Sequence, residues 1–187
     1  MKNGRSATIA LMGNPNAGKS SLFNALTGLH QHVGNWPGKT VERRAGQCQR
    51  GDWDLTIVDL PGTYSLAAES PEEMIAREFL RSEGVDLVLN VVDVTNLERN
   101  LYLTVQILEM GMPVIIALNM FDQLEAQGGA IDTETLSLGL GGAPVVPTAA
   151  NRGRGLVHLI TTVVEMLEHQ QKPVHAVKEP ATLGVLA

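Results

Sequence analysis

Two glycines five positions apart, Gly13 and Gly18, bound a short loop that runs straight into Lys19 and Ser20. Before the loop lies the apolar, β-branched run "ATIALM"; after it, "KSSLFNALTG" has helical period. A strand, a tight glycine turn and a helix in that order begin a crossover unit, with the helix folding back over a sheet. The chain then repeats the alternation. "LTIVDL", "DLVLNVVDV", "PVIIALNM" and "APVVPT" read as further strands buried on both faces. "SPEEMIAREFLRS", "NLERNLYLTVQILEMG", "TETLSLGLG" and "RGLVHLITTVVEMLEHQ" read as helices that cross between them. "TVERRAGQCQR" turns at Gly51 and Asp52 into the following strand and adds an antiparallel edge. The expectation is a three-layer α/β domain: a mostly parallel six-stranded sheet, one antiparallel edge strand and helices on both faces.

Helix punctuation agrees with these boundaries. Ser70, Pro71 and Glu73 form a cap, a first-turn proline and an acid at the third position, with Gly84 beyond the last turn. Thr95 or Asn96 and Gly111 bracket the next helix. With 187 residues, one domain can bury about 70% of the surface of its unfolded chain, so no disulfide or structural metal is needed. The tail from Lys172 has two prolines and no period, which predicts a domain over 1–170 and a linker, or the start of another domain, over 171–187.

Composition excludes several classes. A net charge of −6 and scattered Lys and Arg argue against a nucleic-acid partner. Cys48 is alone, which fits a reducing compartment and an idle or buried thiol. The apolar start runs directly into the glycine loop with no cleavage site, and no run reaches the roughly 18 to 20 apolar residues of a membrane span.

The glycine loop matches G-x-x-x-x-G-K-[ST] in its required strand-to-helix setting. Its backbone N–H groups can point inward at phosphate oxygens, and the helix adds its positive end. Lys19 would reach the β- and γ-phosphates, and Ser20 would offer a hydroxyl to Mg²⁺. Asn14, Asn16, Ala17, Gly18 and Ser21 complete the nucleotide-binding loop, with Asn14 given no separate chemical role. Asp59 in "DLPG" ends a strand and is a second Mg²⁺ candidate, while the N–H of Gly62 can meet the γ-phosphate.

The loop alone does not choose the base. In "NMFD", Asp122 can accept from guanine N1–H and its exocyclic amine, and Asn119 can brace the loop and meet N7. Met120 stands where N-K-x-D has a lysine, so affinity should be modest and release fast. Thr148, Ala149 and Ala150 are small enough to let a backbone N–H approach guanine O6. Four elements in this order point to a GTPase. The segment "GLHQHVGNWPGKTVERR" reads as mobile, with Thr40 placed to ligate Mg²⁺ only in the triphosphate state.

Together "GNPNAGKSSLFNALTG", "VGNWPGKTVERRAG", "DLPGTYSL", "VVDVTNLERNLYLTVQILEMGMPVIIALNMFD" and "NRGRG" resemble the N-terminal GTPase domain of the ferrous iron transport protein B family, over roughly residues 6 to 170. The resemblance implies a P-loop GTPase fold at the cytoplasmic face of a bacterial inner membrane. It also implies a fused membrane transporter for Fe²⁺, a helical regulatory domain between the two, and small accessory iron-transport proteins as partners. Lys39 departs from the family's usual G-V-T in the switch. Thr63 stands where many GTPases carry a water-positioning glutamine. A non-glutamine residue there recurs in GTPases in which a K⁺ ion takes the part of an arginine finger, a group the family resembles; Asn16 is the side-chain candidate, and the family's switch implies the carbonyls of Gly34 and Trp36. The catalytic set is then Asn16, Lys19, Thr40 and Gly62, with backbone groups near Thr40 and Gly62 placing the water. The rival reading is a stand-alone Era-like GTPase switch in ribosome assembly or tRNA modification, which would bring a basic RNA-binding surface.

The remaining polar residues have ordinary readings. His30 and His32 sit in a loop without a nearby acid and read as solvated, not as iron ligands. His158 falls off the apolar stripe of its helix, Met110, Met112, Met120 and Met166 read as packing, and Arg43 and Arg44 alternate on an edge strand.

Overall fold

The computed structural model describes residues 4–82 and 84–171, so the tail from Lys172 lies outside the described residues. Strands β1 (Arg5–Gly13), β2 (Gln31–Asn35), β3 (Glu42–Arg50), β4 (Trp53–Asp59), β5 (Leu87–Asp93), β6 (Val114–Asn119) and β7 (Val145–Pro147) form one sheet in the order β2-β3-β4-β1-β5-β6-β7. The five strands from β4 to β7 are parallel, and β2 and β3 are antiparallel. Helices are α1 (Lys19–Thr27), α2 (Pro71–Arg81), α3 (Leu97–Glu109), α4 (Phe121–Ala126), α5 (Thr133–Gly139) and α6 (Leu156–Gln171).

The sheet has seven strands where six were expected. The extra strand is β2, inside the segment read as mobile: Val33 pairs with Arg44 and His32 with Ala45. It has one neighbour, and its residues from His32 to Asn35 are all exposed, so the apolar alternation that marks a half-buried strand is missing. The short helix α4 was also not foreseen. It begins directly after Met120, which adopts a left-handed φ of 61°.

Alternate residues of the central strands feed two cores. Ile9, Leu11, Leu55, Ile57, Leu89 and Ile115 face α1 and α6, where Phe23, Leu159 and Val163 close the layer. Ala10, Met12, Val58, Val88, Ile116 and Leu118 face α2 and α3 through Ile75, Leu80, Leu103 and Ile107. The central strands are therefore apolar on both sides, as parallel strands between helical layers must be. Met110, Met112, Met120 and Met166 pack against these cores, and His158 is exposed. Cys48 is half-buried on the α1/α6 side, and burial raises its thiol above the usual range, against a smaller opposing effect of Arg50.

Local chemistry starts α2 as the sequence predicts, whereas Asn96 precedes α3 without a side-chain cap bond and the cap of α5 was not foreseen. Ser70 accepts from the Glu73 N–H at 3.1 Å, while Glu73 reaches back to the Glu69 N–H at 3.0 Å. Asp132 caps α5 by accepting from the N–H groups of Glu134 and Thr135.

One polar pair interrupts the core. Asn90, fully buried in the middle of β5, donates its amide to Thr104 Oγ1 of α3 at 2.7 Å. Thr104→Val leaves that donor buried without an acceptor, at a cost of about 1 to 3 kcal/mol. Urea denaturation measures it, and an unchanged midpoint would contradict the assignment.

Candidate functional site

The loop between β1 and α1 is held in shape from three directions. A Cβ on Gly13 would stand 2.6 Å from the Val91 carbonyl oxygen, so only glycine lets β1 end against β5. Gly18 has φ +86°, and a Cβ there would fall 2.1 Å from Asn119 Nδ2. Asn16 occupies the left-handed region at φ 67°, which Asn tolerates better than most residues. The Ala17 N–H donates to the Asn14 carbonyl at 3.2 Å and closes the turn. No side chain caps α1, so its first N–H groups have no side-chain acceptor.

A cavity of about 580 Å³ runs along this loop, lined by Asn14, Pro15, Asn16, Gly18, Lys19, Ser20, Ser21, Gly62 and Met120. That volume suits a small organic ligand. Asn16 is exposed in it, and its side chain makes no hydrogen bond among the described residues. Asn14 is different: it is buried, donates weakly to the Arg99 carbonyl at 3.4 Å, and keeps its Oδ1 without a partner.

Lys19 and Asp59 are joined directly. The register that sets Leu11 against Asp59 brings the carboxylate under the first turn of α1, and Lys19 Nζ donates to Asp59 Oδ1. Their side chains are only 11% and 7% exposed, so each charge is neutralised by the other in a poorly hydrated place. The residues assigned separately to phosphate and to Mg²⁺ thus meet as an ion pair.

Asn119, at the end of β6, ties three loops together. Its Nδ2 donates to the Ala17 carbonyl at 2.9 Å, and its Oδ1 accepts from the Ala150 N–H at 3.0 Å and from Thr148 Oγ1 at 3.3 Å. The N–H groups of Thr148 and Ala149 are also engaged, with the carbonyls of Leu118 and Arg154. All three small residues expected to offer an N–H to a base therefore spend it within the protein. The next N–H, that of Asn151, has no acceptor among the described residues.

Asp122 is buried in the first turn of α4. Arg152 Nε lies 2.7 Å from its Oδ2, while its Oδ1 has no partner. Two residues farther on, Arg154 grips Glu125 of the same helix with both terminal nitrogens, at 2.7 and 3.1 Å. Those hydrogen bonds hold the Glu125 carboxyl below its usual range and the Arg154 guanidinium above its own. Sequence reading missed both arginine contacts; "NRGRG" signals charge but not its targets.

After Asp59 the chain turns toward α3. Thr63 is buried: its N–H donates to the Gly13 carbonyl at 3.3 Å, and its hydroxyl donates to the Ser65 carbonyl at 2.6 Å. It is committed to the turn, as a residue replacing a water-positioning glutamine can be. Two unforeseen contacts fix this segment. The Arg99 guanidinium lies 4.1 Å from the centre of the Tyr64 ring, and the Leu66 N–H donates to Gln106 Oε1 at 2.8 Å.

Gly34, Trp36 and Thr40 are not brought to the cavity. Gly34 pairs with Arg43 in the β2–β3 ladder and lines a separate surface pocket with His32. Trp36 is buried, edge-on to Phe79 at 5.4 Å with Arg43 over its ring, and its carbonyl accepts from the Lys39 N–H at 2.9 Å. The tryptophan side chain thus packs into the apolar layer, and Lys39 is half-buried. Thr40 is exposed outside the cavity lining. Ser20 and Asp59 suit a hard divalent cation in their donor chemistry, whereas only Asn16 of the three K⁺ candidates lines the cavity. No group of three or more His, Cys, Asp or Glu side chains is placed to hold a metal among the described residues.

Asn119→Ala would remove three hydrogen bonds at once and is expected to lower stability by about 2 to 3 kcal/mol. Chemical denaturation reads this, and a loss no larger than that of an exposed Asn→Ala control would contradict the bracing role.

Comparison with known proteins places this geometry. The family profile described as ferrous iron transport protein B matches residues 7–163. The Fe(2+) transporter FeoB of Salmonella typhimurium is 56% identical over 153 residues, 80% of this chain and 20% of that protein. A fusion of Fe(2+) transport protein A with Fe(2+) transporter FeoB from Porphyromonas gingivalis is 51% identical over 94% of this chain and 21% of its own length. The chain thus spans about a fifth of the curated relatives it matches. Among solved structures, a GDP-bound variant of S. thermophilus NFeoB is 54% identical with a TM-score of 0.79, covering 83% of this chain and 60% of that one. The G domain of the T. maritima FeoB iron transporter is 44% identical with a TM-score of 0.80, covering 86% and 98%. On the profile, the identities and the shared fold, this chain belongs to the ferrous iron transport protein B family.

Proposed function

We propose that the chain binds guanine nucleotides and hydrolyses GTP to GDP and phosphate, as the nucleotide-responsive domain of a Fe²⁺ transporter. The observation that carries the reading is the Asn119 amide, which fastens the phosphate loop to the loops bearing Asp122 and Thr148 to Ala150. Phosphate-binding and base-reading groups are thereby held as one unit. Relatives crystallised with GDP support the choice of nucleotide.

In this reading Lys19 exchanges the Asp59 carboxylate for phosphate oxygens, and Asp59 and Ser20 are free to hold Mg²⁺. When bound, that ion would offset the charge that builds on the phosphate oxygens. Asn16 is the proposed side-chain ligand for K⁺, which would supply positive charge between the phosphates. The carbonyls of Gly34 and Trp36, and the hydroxyl of Thr40, belong to the same proposal. They would join only if the segment around the β2–β3 turn moves to the phosphate loop. Gly62 offers its N–H from the cavity wall, and Thr63, turned inward, leaves water placement to backbone groups near Gly62 and Thr40. Asn14, Ala17, Gly18 and Ser21 shape the cradle, while Met120 lines it beside Gly18 without the lysine's second tie to the loop.

Membership of the family supports a wider setting for this domain. Residues 1–170 would act as the GTPase domain, and 171–187 would lead toward a helical regulatory domain and a membrane-embedded transporter. The domain itself would work at the cytoplasmic face of the inner membrane, with small accessory iron-transport proteins as partners. Among the described residues no helix is long and apolar enough to cross a membrane.

GTP turnover in KCl against NaCl tests the proposal. Wild type should be faster in KCl, and both Asn16→Ala and Asn16→Gly should lose the difference, the glycine variant removing the ligand without the left-handed strain. Equal rates in the two salts would remove K⁺ from the mechanism. Asp122→Asn should weaken GDP binding about ten- to a hundredfold, the worth of hydrogen bonds to a charged group.

A further inference from the structure

The contact between Arg152 and Asp122 is unlike an ordinary structural ion pair. The Asp122 side chain is 6% exposed, yet the partner that neutralises it is 67% exposed and reaches in from solvent. The contact uses one nitrogen, Nε, on one oxygen, Oδ2, at 2.7 Å, and it is an ion pair without an aligned hydrogen bond. The other oxygen is buried with nothing to accept from. A carboxylate with one oxygen loosely held and the other unpartnered has chemistry left for a ligand with two parallel donors.

Guanine is such a ligand. Its N1–H and exocyclic amine, joined through C2, are two arms of a neutral guanidine unit, which presents the same pair of parallel donors as the charged end of an arginine side chain. Met120 lines the cavity along the phosphate loop, but neither Asp122 nor Thr148 to Ala150 does. At the place where a base would meet Asp122, the protein's own guanidinium is on the carboxylate.

Resting on the guanine-binding reading above, we propose that Arg152 competes with the guanine base for Asp122. Nucleotide binding is then an exchange of one guanidine group for another, and Arg152 sets how quickly the base is released. Two further features fit this role. Arg152 lies on the single turn Ala150–Arg152, whose Ala150 N–H is tied to Asn119, so its backbone is held where the side chain can return to Asp122. Arg154 anchors the following residues to Glu125 independently, so Arg152 is not needed to keep the loop on α4. In the absence of the N-K-x-D lysine, Arg152 is the cation closest to the base-reading carboxylate, and it acts against the base instead of packing over it.

The test is GDP carrying a fluorescent N-methylanthraniloyl group, with association and dissociation rates measured for Arg152→Ala, Arg154→Ala and Asp122→Asn in the complete chain. Arg152→Ala should tighten binding about two- to fivefold, the worth of one part-exposed ion pair, chiefly through slower dissociation, while Arg154→Ala stays near wild type. Weaker or unchanged binding in Arg152→Ala, or an equal gain in Arg154→Ala, overturns the competition, the last because it would mark a general charge effect. If Asp122→Asn leaves affinity unchanged, the carboxylate does not read the base, and the guanine reading fails together with this inference. If Asp122→Asn weakens binding while Arg152→Ala does not tighten it, only the competition fails.

Discussion

One side-chain amide holds the site together. Asn119 donates to the phosphate loop through Ala17 and accepts from the loop after β7 through Ala150 and Thr148, so three segments far apart in sequence share one buried hub. The hub explains why Gly18 must lack a side chain: the Asn119 amide occupies the space a Cβ would take. It also explains why Thr148 and Ala150 spend polar groups inward. A buried amide costs free energy unless its donors and acceptors are satisfied, and here satisfaction requires all three loops to be in place together. The site is therefore a cooperative unit, and damage to any of the three loops is felt by the others.

The parallel sheet makes such a hub possible. Every strand from β4 to β7 ends at the same edge, so Asp93 and Asn119 finish neighbouring strands, Asp59 finishes a third beyond β1, and the loops that follow gather above them. Asp93 shows the same logic in a structural role: it caps the turn at Thr95 and binds the Asn96 amide, starting α3. From α3, Arg99 and Gln106 then hold the segment after Asp59 through Tyr64 and Leu66. The order of the sheet thus decides which side chains meet, and local chemistry decides what they do.

Much of this was legible in the residues, and the parts that were not share a cause. The central strands and long helices announce themselves because burial on fixed faces imposes a period, and Gly13, Gly18, Lys19 and Ser20 because a phosphate-type loop has few sequence solutions. The bracing part of Asn119 was foreseen, but its acceptance from Ala150 and Thr148 depends on β6 lying beside β7 in a particular register. β2 was lost because an edge strand with exposed faces carries no period. The pairs Lys19 with Asp59 and Arg152 with Asp122 were missed for the same reason in charge: long side chains choose partners by tertiary proximity, and sequence states only that the charges exist.

Those two ion pairs give the site a common electrostatic plan. At the phosphate end a lysine neutralises a buried carboxylate, and at the base end an arginine neutralises another while leaving one of its oxygens without a partner. Each carboxylate is thus neutralised by the protein itself, which avoids the large cost of a buried, unpaired charge. In the proposed function each pair is also exchanged on binding: phosphate takes the lysine, and guanine takes the place of the arginine. Only the difference between the old and new contacts then appears as affinity, since the protein's own pairs must first be given up. A site built in this way binds less tightly than its hydrogen-bond inventory implies and releases its ligand readily. That is the behaviour expected from the missing lysine at Met120, reached here by a second and independent route.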